Sequence, residues 1–198
     1  MFRDRSNTWC TATENDSFEA NEIVLASGIR SRAFARQIGV YLPLQAAKGY
    51  HRDYSHDHAP RLNVLCLFME DFVFCTPLAK GIRLAGTLEF SGINQKMPKP
   101  RLNRLTEAAK RYLQPPTYHH PSSEWCGLRP CFPDELSMVG PVSKQPGLYI
   151  ATGHAMMEFT LGPATGKLLS ELIVGKQMSM NIDALRVDRL EHGLSPRF

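Results

Sequence analysis

Two short apolar runs, each closed by a glycine, interrupt an otherwise mixed sequence: Glu22–Gly28 and Gly147–Gly153. Uninterrupted apolar runs of this length are typical of strands that are buried on both faces of a parallel sheet. In open α/β folds such strands bring the chain to the carboxyl edge of the sheet, where ligands bind. For either run alone, the competing interpretation is a buried strand with a tight turn and no ligand.

Between these runs the pattern changes to several strand-length segments with short connections. The candidate strands are Gln45–Tyr54, Leu62–Phe68, Phe72–Pro77 and Ile82–Phe90. Consecutive strands joined by short, glycine-containing turns favour an antiparallel sheet. A further short strand is predicted near the start of the chain, at Thr8–Thr13.

Helical periodicity is found in three places. The spacing predicts helices over residues 31–38, closed by Gly39, and over residues 101–113. A third helix is predicted over 163–174, with Pro163 near its start and Gly175 just past its end, in line with the usual places of these two residues. Residues 125–142 are rich in glycine and proline and are expected to be irregular but ordered. The tail after Met178 is polar and is expected on the surface.

Composition excludes several classes of protein. Of 198 residues, 43% are apolar and 21% are charged, as in ordinary globular proteins. A net charge of +4, with no basic block, gives no reason to expect nucleic-acid binding. No apolar run approaches the roughly 20 residues that a transmembrane helix needs, and no signal peptide is visible. The expectation is a cytoplasmic protein, with peripheral attachment at the inner membrane left open. Five cysteines without a CxxC pair favour free thiols and no metal site.

Five blocks of sequence together resemble a known family. They are Ile23–Ser31, Leu42–Tyr50, Gly81–Gly92, Trp125–Val142 and Gly147–Gly166. In order and spacing they are similar to the C-terminal half of the FAD-dependent D-amino-acid dehydrogenases, with the glycine and sarcosine oxidases as relatives. The resemblance implies a mixed α/β fold: part of an FAD-binding dinucleotide fold combined with an antiparallel-sheet substrate domain.

The resemblance also implies a division of the chain. Residues 1–44 would be a partial FAD-binding domain and 45–124 the substrate domain. Residues 125–178 would return to the FAD-binding domain, and 179–198 would form a tail.

The implied cofactor is FAD, and the implied flavin contacts lie in three segments. The N-terminus of the helix at 163–174 would point at the flavin ring, where its partial positive charge favours negative charge. The residues expected to contact the cofactor are Ser27, Gly28, Gly127, Leu128, Gly153, His154, Ala155, Met156, Met157, Glu158, Phe159 and Thr160.

The resemblance places Arg129 where the family's arginine holds the substrate carboxylate. A planar guanidinium can bind a carboxylate through two hydrogen bonds and so orient Cα of an amino acid for hydride transfer to the flavin. Without the resemblance, a surface or ion-paired arginine is the competing interpretation. Tyr50 and Phe74 are candidates to line the substrate pocket, with core packing as the alternative for both. No catalytic base is assigned, because a neutral amine can lose hydride directly.

Two features depart from the family pattern. The sequence contains no GxGxxG, the turn that lets the backbone approach the pyrophosphate. Glu158 stands where a glycine is expected, and its carboxylate would oppose negative charge on the flavin. These departures leave two alternatives to a self-sufficient amino-acid oxidoreductase: one chain of a split or multi-subunit enzyme, whose partner chain carries the GxGxxG half, or a truncated remnant without catalysis.

Overall fold

The computed structural model describes residues 1–3, 8–113 and 120–190. The chain divides into two compact units, Met1–Gln45 with Arg129–Phe198, and Ala46–Leu128. We call them the discontinuous unit and the continuous unit. Each has a hydrophobic core of its own.

The structure contains eleven strands and three α-helices in the described residues. In chain order they are β1 (Phe2–Arg3), β2 (Trp9–Ala12), β3 (Ser17–Ala20), β4 (Ile23–Leu25), α1 (Ser31–Gln37), β5 (Gln45–Ser55), β6 (Cys66–Phe68), β7 (Val73–Leu78), β8 (Gly81–Glu89), α2 (Lys99–Tyr112), β9 (Ser123–Cys131), β10 (Met138–Pro141), β11 (Leu148–Thr152) and α3 (Glu158–Ile173).

The discontinuous unit is built around a three-stranded sheet of order β10-β11-β4. Strands β11 and β4 run parallel, with Ile150 opposite Leu25, and β10 is antiparallel to β11. The two apolar runs of the sequence are therefore parallel strands, as their pattern predicts. They are not buried on both faces, because Val24 is 39% exposed and buried residues alternate with half-buried ones along β11. The core of this unit consists of Trp9, Leu25, Ala35, Leu42, Leu44, Phe132, Met138, Val142, Leu148 and Ile150.

The continuous unit is a five-stranded sheet of order β6-β7-β8-β5-β9 with α2 packed on it. The pairings β6–β7, β7–β8 and β8–β5 are antiparallel, as the sequence predicts. Alternate residues of β7 and β8 face the core: Val73 and Cys75 are buried, as are Ile82 and Leu84. The helix contributes Leu102, Leu105, Ala108 and Ala109 to the same core, the stripe that its periodicity indicates.

Three predictions of secondary structure need correction. The glycine- and proline-rich stretch 125–142 is not irregular, because it contains most of β9 and all of β10. The strand predicted at Leu62–Phe68 is paired only over Cys66–Phe68, where β6 forms the edge of the sheet beside β7. Helix α3 begins at Glu158, five residues before Pro163, which lies inside the helix. A proline here removes only the hydrogen bond to the carbonyl of Phe159, which lies in an exposed first turn where water can replace it.

The tail expected on the surface is partly packed. Residues Val187–Leu190 form a 3₁₀ turn, and Val187 and Leu190 pack against the core of the discontinuous unit. The Arg189 guanidinium donates to both carboxylate oxygens of Asp134, at 2.7 and 3.1 Å. Residues 191–198 of the predicted tail lie outside the described residues.

Candidate functional site

The carboxyl ends of β4 and β11 meet in the discontinuous unit. The Thr152 hydroxyl donates to the carbonyl of Gly28, at 3.1 Å. Gly28 has a φ of +56°, and a Cβ at this position would have no atom within 4 Å. The backbone of Ser27 and Gly28 therefore borders open space at the sheet edge where ligands bind in open α/β folds.

A tight turn joins β11 to α3. It starts at Gly153, whose φ of +87° suits glycine and whose Cβ would lie 2.3 Å from the ring of Phe132. Ala155 also has a positive φ, +50°, which is uncommon for a residue with a side chain. The N–H of Met157 donates to the carbonyl of His154, at 2.8 Å.

The end of β9 lies directly beside this turn. The N–H of Ala155 donates to the carbonyl of Pro130, at 3.0 Å, and Cys131 forms an antiparallel bridge with His154. Arg129 precedes these two contact residues in the strand. The structure thus brings together Arg129 and the turn that begins at Gly153.

Helix α3 begins at this turn without a side-chain cap on Met157. The first N–H groups of a helix have no partner within the helix, so those of Glu158, Phe159 and Thr160 are donors at its positive end. The large side chains around them are exposed: Met156 66%, Met157 49% and Phe159 98%. These residues belong to the turn and the first turn of the helix, whereas the sequence predicts them in a loop before it.

Two charges of opposite sign lie at this end of the helix. Glu158 is an exposed residue, yet nearby protein atoms desolvate its carboxyl and raise its pKa, while the positive charge of Arg129 opposes that rise. The thiol of Cys131 is influenced by the same two groups: burial and the charge of Glu158 raise its pKa, and Arg129 lowers it. In the described part of the chain, no carboxylate lies within 4.0 Å of the Arg129 guanidinium. Arg129 is half-buried, and its effects on Glu158 and Cys131 show that its charge lies close to the helix end.

His154 has a structural role in the turn. Its Nε2 lies 2.8 Å from the Thr165 hydroxyl on α3, and burial lowers its pKa. A neutral imidazole hydrogen-bonded to the helix fixes the turn against α3.

The remaining predicted site residues belong to the continuous unit. Tyr50 is 2% exposed in its core, where its hydroxyl donates to Glu89 at 2.8 Å, and burial raises its pKa to about 12. Phe74 lies on the opposite face of the sheet and is 42% exposed. Gly127 leaves room for the ring of Trp125, which a Cβ would approach to 2.0 Å. Leu128 follows in β9 and is half-buried.

Sequence reasoning misses one feature on the same sheet face as Phe74. The ring of His51 stacks on that of Trp125, with the ring centroids 5.1 Å apart. Asp53 accepts two hydrogen bonds from Arg83, both at 2.8 Å. Alternation of side chains along β5 places His51 and Asp53 on one face, but only the sheet order places Arg83 and Trp125 beside them. Periodicity alone gives no signal for this grouping.

Comparison with known proteins decides the family. A family model described as FAD dependent oxidoreductase (DAO) matches residues 2–172. The chain belongs to this family. The D-amino acid dehydrogenase of Paramagnetospirillum magneticum is 33% identical over 180 residues, which make up 90% of this chain and 42% of the relative. That of Agrobacterium fabrum is 29% identical over 178 residues, 89% of this chain and 42% of the relative.

Solved structures support the fold. The glycine oxidase of Geobacillus kaustophilus matches with a TM-score of 0.77 and 22% identity, over 89% of this chain and 47% of its own. The L-proline dehydrogenase of P. horikoshii matches with a TM-score of 0.76 and 17% identity, over 91% and 50%. The family inferred from the five sequence blocks is therefore confirmed, and so is the partial α/β fold. The chain spans about two-fifths of the length of the curated relatives it matches.

The family is FAD-dependent, and the described residues fit one part of that cofactor. Unpaired backbone N–H groups at the start of α3 match the carbonyl and ring-nitrogen acceptors of a flavin edge. The sequence contains no GxGxxG, the turn that lets the backbone approach the pyrophosphate.

Two searches of the described residues were negative. Among residues 1–3, 8–113 and 120–190, no group of three or more His, Cys, Asp or Glu side chains could hold a metal ion. Over the same residues, no helix has the length and apolar character needed to cross a membrane.

Proposed function

We propose that this chain forms the substrate-facing and flavin-ring-facing part of an FAD-dependent oxidoreductase that acts on a D-amino acid. The observation that carries the proposal is the adjacency of Arg129 to the turn at Gly153 and to the uncapped start of α3. The matched D-amino acid dehydrogenases support the choice of substrate.

In this proposal each part of the site has a separate role. Arg129 binds the substrate carboxylate through two charge-assisted hydrogen bonds and so fixes the direction of the Cα–H bond. The N–H groups of residues 158–160 hold the ring edge, and the partial positive charge of the helix stabilises negative charge there. When bound, FAD supplies the chemistry of the reaction, acceptance of a hydride from Cα. The imino acid that leaves is then hydrolysed by water to an oxo acid and ammonia.

We further propose that a second polypeptide segment, equivalent to the rest of the relatives' length, completes the FAD site. Strand β4 is at the edge of its three-stranded sheet in the described residues, so one row of its backbone groups is available for pairing. Exposed apolar side chains next to the site, including Met156, Met157 and Phe159, would be covered by that segment.

A reconstitution experiment tests this function. The full chain is mixed with FAD, alone and together with the part of the P. magneticum dehydrogenase that it does not match, then desalted, and its visible spectrum is recorded. We expect a retained flavin band with the added segment, and bleaching of that band by a D-amino acid under anaerobic conditions. A retained band without bleaching would refute the proposed reaction but keep the cofactor site.

A second candidate function is a non-catalytic scaffold, which the absence of GxGxxG and the presence of Glu158 favour. It predicts no retained flavin in either mixture. That outcome would overturn the enzymatic proposal.

A further inference from the structure

The hairpin of β6 and β7 places two cysteines directly opposite each other. Cys66 pairs with Cys75 in the antiparallel register, followed by Leu67 with Phe74 and Phe68 with Val73. Opposed residues of an antiparallel pair have Cα atoms about 4.5–5.5 Å apart. Disulfides form across Cα separations of about 4.4–6.8 Å, so this register meets the backbone requirement without rearrangement.

Both side chains are on the same face of the hairpin. Directly opposed residues of a β-ladder point to the same side of the sheet. Cys75 is fully buried in the core of the continuous unit, and Cys66 is partly buried and packs against that core. Both are free thiols. Burial raises the pKa of the Cys75 thiol to about 12, and the neighbouring Cys66 adds to the rise.

We propose that Cys66 and Cys75 form a reversible disulfide when the protein meets hydrogen peroxide. The accessible member, Cys66, attacks the peroxide as the thiolate; the O–O bond breaks, water leaves and Cys66 becomes a sulfenic acid. Cys75 sulfur then attacks Cys66 sulfur, the S–O bond breaks and a second water leaves. Two thiol hydrogens and two electrons thus reduce one hydrogen peroxide to two waters.

The crosslink has a structural consequence for the edge of the sheet. Strand β6 has only three residues and, in the part of the chain that the structure describes, is bonded to the sheet through β7 alone. The disulfide closes a short loop and removes the freedom of β6 to separate from β7. Phe74, the neighbour of Cys75, lies on the exposed face of this hairpin. Any effect on its substrate contacts rests on the proposed function, whereas the crosslink itself does not.

Peptide mapping tests the crosslink on the full chain. Reduced and peroxide-treated samples are alkylated and digested with trypsin, which releases residues 62–80 as one peptide with Cys66 and Cys75 as its only cysteines. We expect the treated peptide to carry no alkyl group and to have lost two hydrogens in mass, with both effects reversed by dithiothreitol. A second digestion at Glu70 or Asp71 should give two fragments that separate only after reduction.

Variants separate the pair from the other thiols. Cys66→Ser should abolish the peptide that has lost two hydrogens, while Cys131→Ser, which removes another partly exposed thiol, should leave it unchanged. The treated wild type should also have a higher Tm than the reduced protein, and Cys66→Ser should show no such rise. Full alkylation of both cysteines after peroxide treatment, or a sulfinic acid on Cys66 without a crosslink, would overturn the proposal. Because mapping needs only the wild-type chain, poor folding of a variant would not prevent the decision.

Discussion

At the scale of single residues, the site depends on two charges at the start of α3. Arg129 is half-buried and, in the described part of the chain, has no carboxylate within 4.0 Å. Under the proposed function, its guanidinium would bind the substrate carboxylate. Glu158 occupies the first turn of the helix. Under the proposed function, its carboxylate would compete with the flavin for the positive end of the helix. Removal of the Arg129 charge is therefore expected to weaken ligand binding, and removal of the Glu158 charge to strengthen it.

Replacing Arg129 should weaken substrate binding without unfolding the protein. In the reconstituted protein, Arg129→Gln should raise the Kd of a carboxylate ligand such as benzoate about 10- to 100-fold, because two charge-assisted hydrogen bonds are lost. Arg129→Lys should retain the charge but not the paired hydrogen-bond geometry, so its Kd should lie between those of the wild type and Arg129→Gln. The measurement is a titration followed in the visible spectrum of the flavin.

The exposed Arg186, which pairs with Asp188, provides the control for this titration. Arg186→Gln should leave the Kd of benzoate unchanged. An unchanged Kd in Arg129→Gln as well would remove Arg129 from the proposed site.

Replacing Glu158 should strengthen flavin binding. Glu158→Gln should lower the Kd of FAD about two- to five-fold, the typical effect of one charge at a helix N-terminus. The raised pKa of Glu158 determines how this difference in FAD affinity changes with pH. The unfavourable charge is present above that raised pKa and disappears as the pH falls through it, so the affinities of wild type and variant should converge on the acid side. Equal affinities at neutral pH would show that the carboxylate does not compete with the flavin.

At the scale of elements, one carboxylate joins three strands of the five-stranded sheet. Asp53 on β5 accepts from Arg83 on β8, and from the Ser123 hydroxyl on β9 at 3.0 Å. The hydrogen bonds from Arg83 are the main reason that its pKa is lowered. The ionised form is thus the one that stabilises the sheet.

Asp53→Asn should destabilise the chain by about 1.5–3 kcal/mol at neutral pH, because hydrogen bonds to a charged group are lost in a partly buried place. For a lowered pKa, the stabilisation is present above the ordinary value and is lost as the pH falls through the lowered one. The free energy of unfolding of the variant should therefore fall less on acidification than that of the wild type. Urea unfolding at several pH values measures this difference.

The exposed Glu107–Lys110 pair offers a matched comparison. Glu107→Gln should change stability by at most about 1 kcal/mol, as is usual for surface pairs. Equal effects of the two substitutions would contradict the role given to Asp53.

At the scale of the whole molecule, the chain consists of two units with separate cores, and only one of them is continuous in sequence. A unit with its own core can in principle fold alone. The discontinuous unit needs both of its segments, because β4 comes from the first and β11 from the second.

A fragment of residues 46–128 should fold by itself. Its sheet, its helix α2 and its core cluster all lie within those bounds, except for the ends of β5 and β9. We expect a cooperative urea transition and a near-UV circular dichroism signal. As a comparison, residues 1–45 alone should show neither. A non-cooperative transition for the longer fragment would contradict its independent folding.

The sequence by itself determines the elements whose signal is local. The apolar runs at Ile23–Leu25 and Leu148–Thr152 could be identified as strands of a parallel sheet. Their burial on both faces could not, because Val24 is 39% exposed and buried residues alternate with half-buried ones along β11. The apolar stripe of α2 is also readable. The family follows from the order and spacing of motifs that end in glycine, because each marks a backbone conformation that few other residues adopt.

Only the tertiary structure decides which side chains meet. The bridge between Cys131 and His154, the opposition of Cys66 and Cys75, and the packing of Val187 and Leu190 depend on pairing between distant segments. The sequence also does not predict the start of α3 at Glu158. Proline is common at the start of a helix, and a position for Pro163 inside the helix is tolerated only because the first turn is exposed. Local sequence fixes the preferences of each segment, whereas contacts over long separations are set by register and burial, which exist only once the chain has folded.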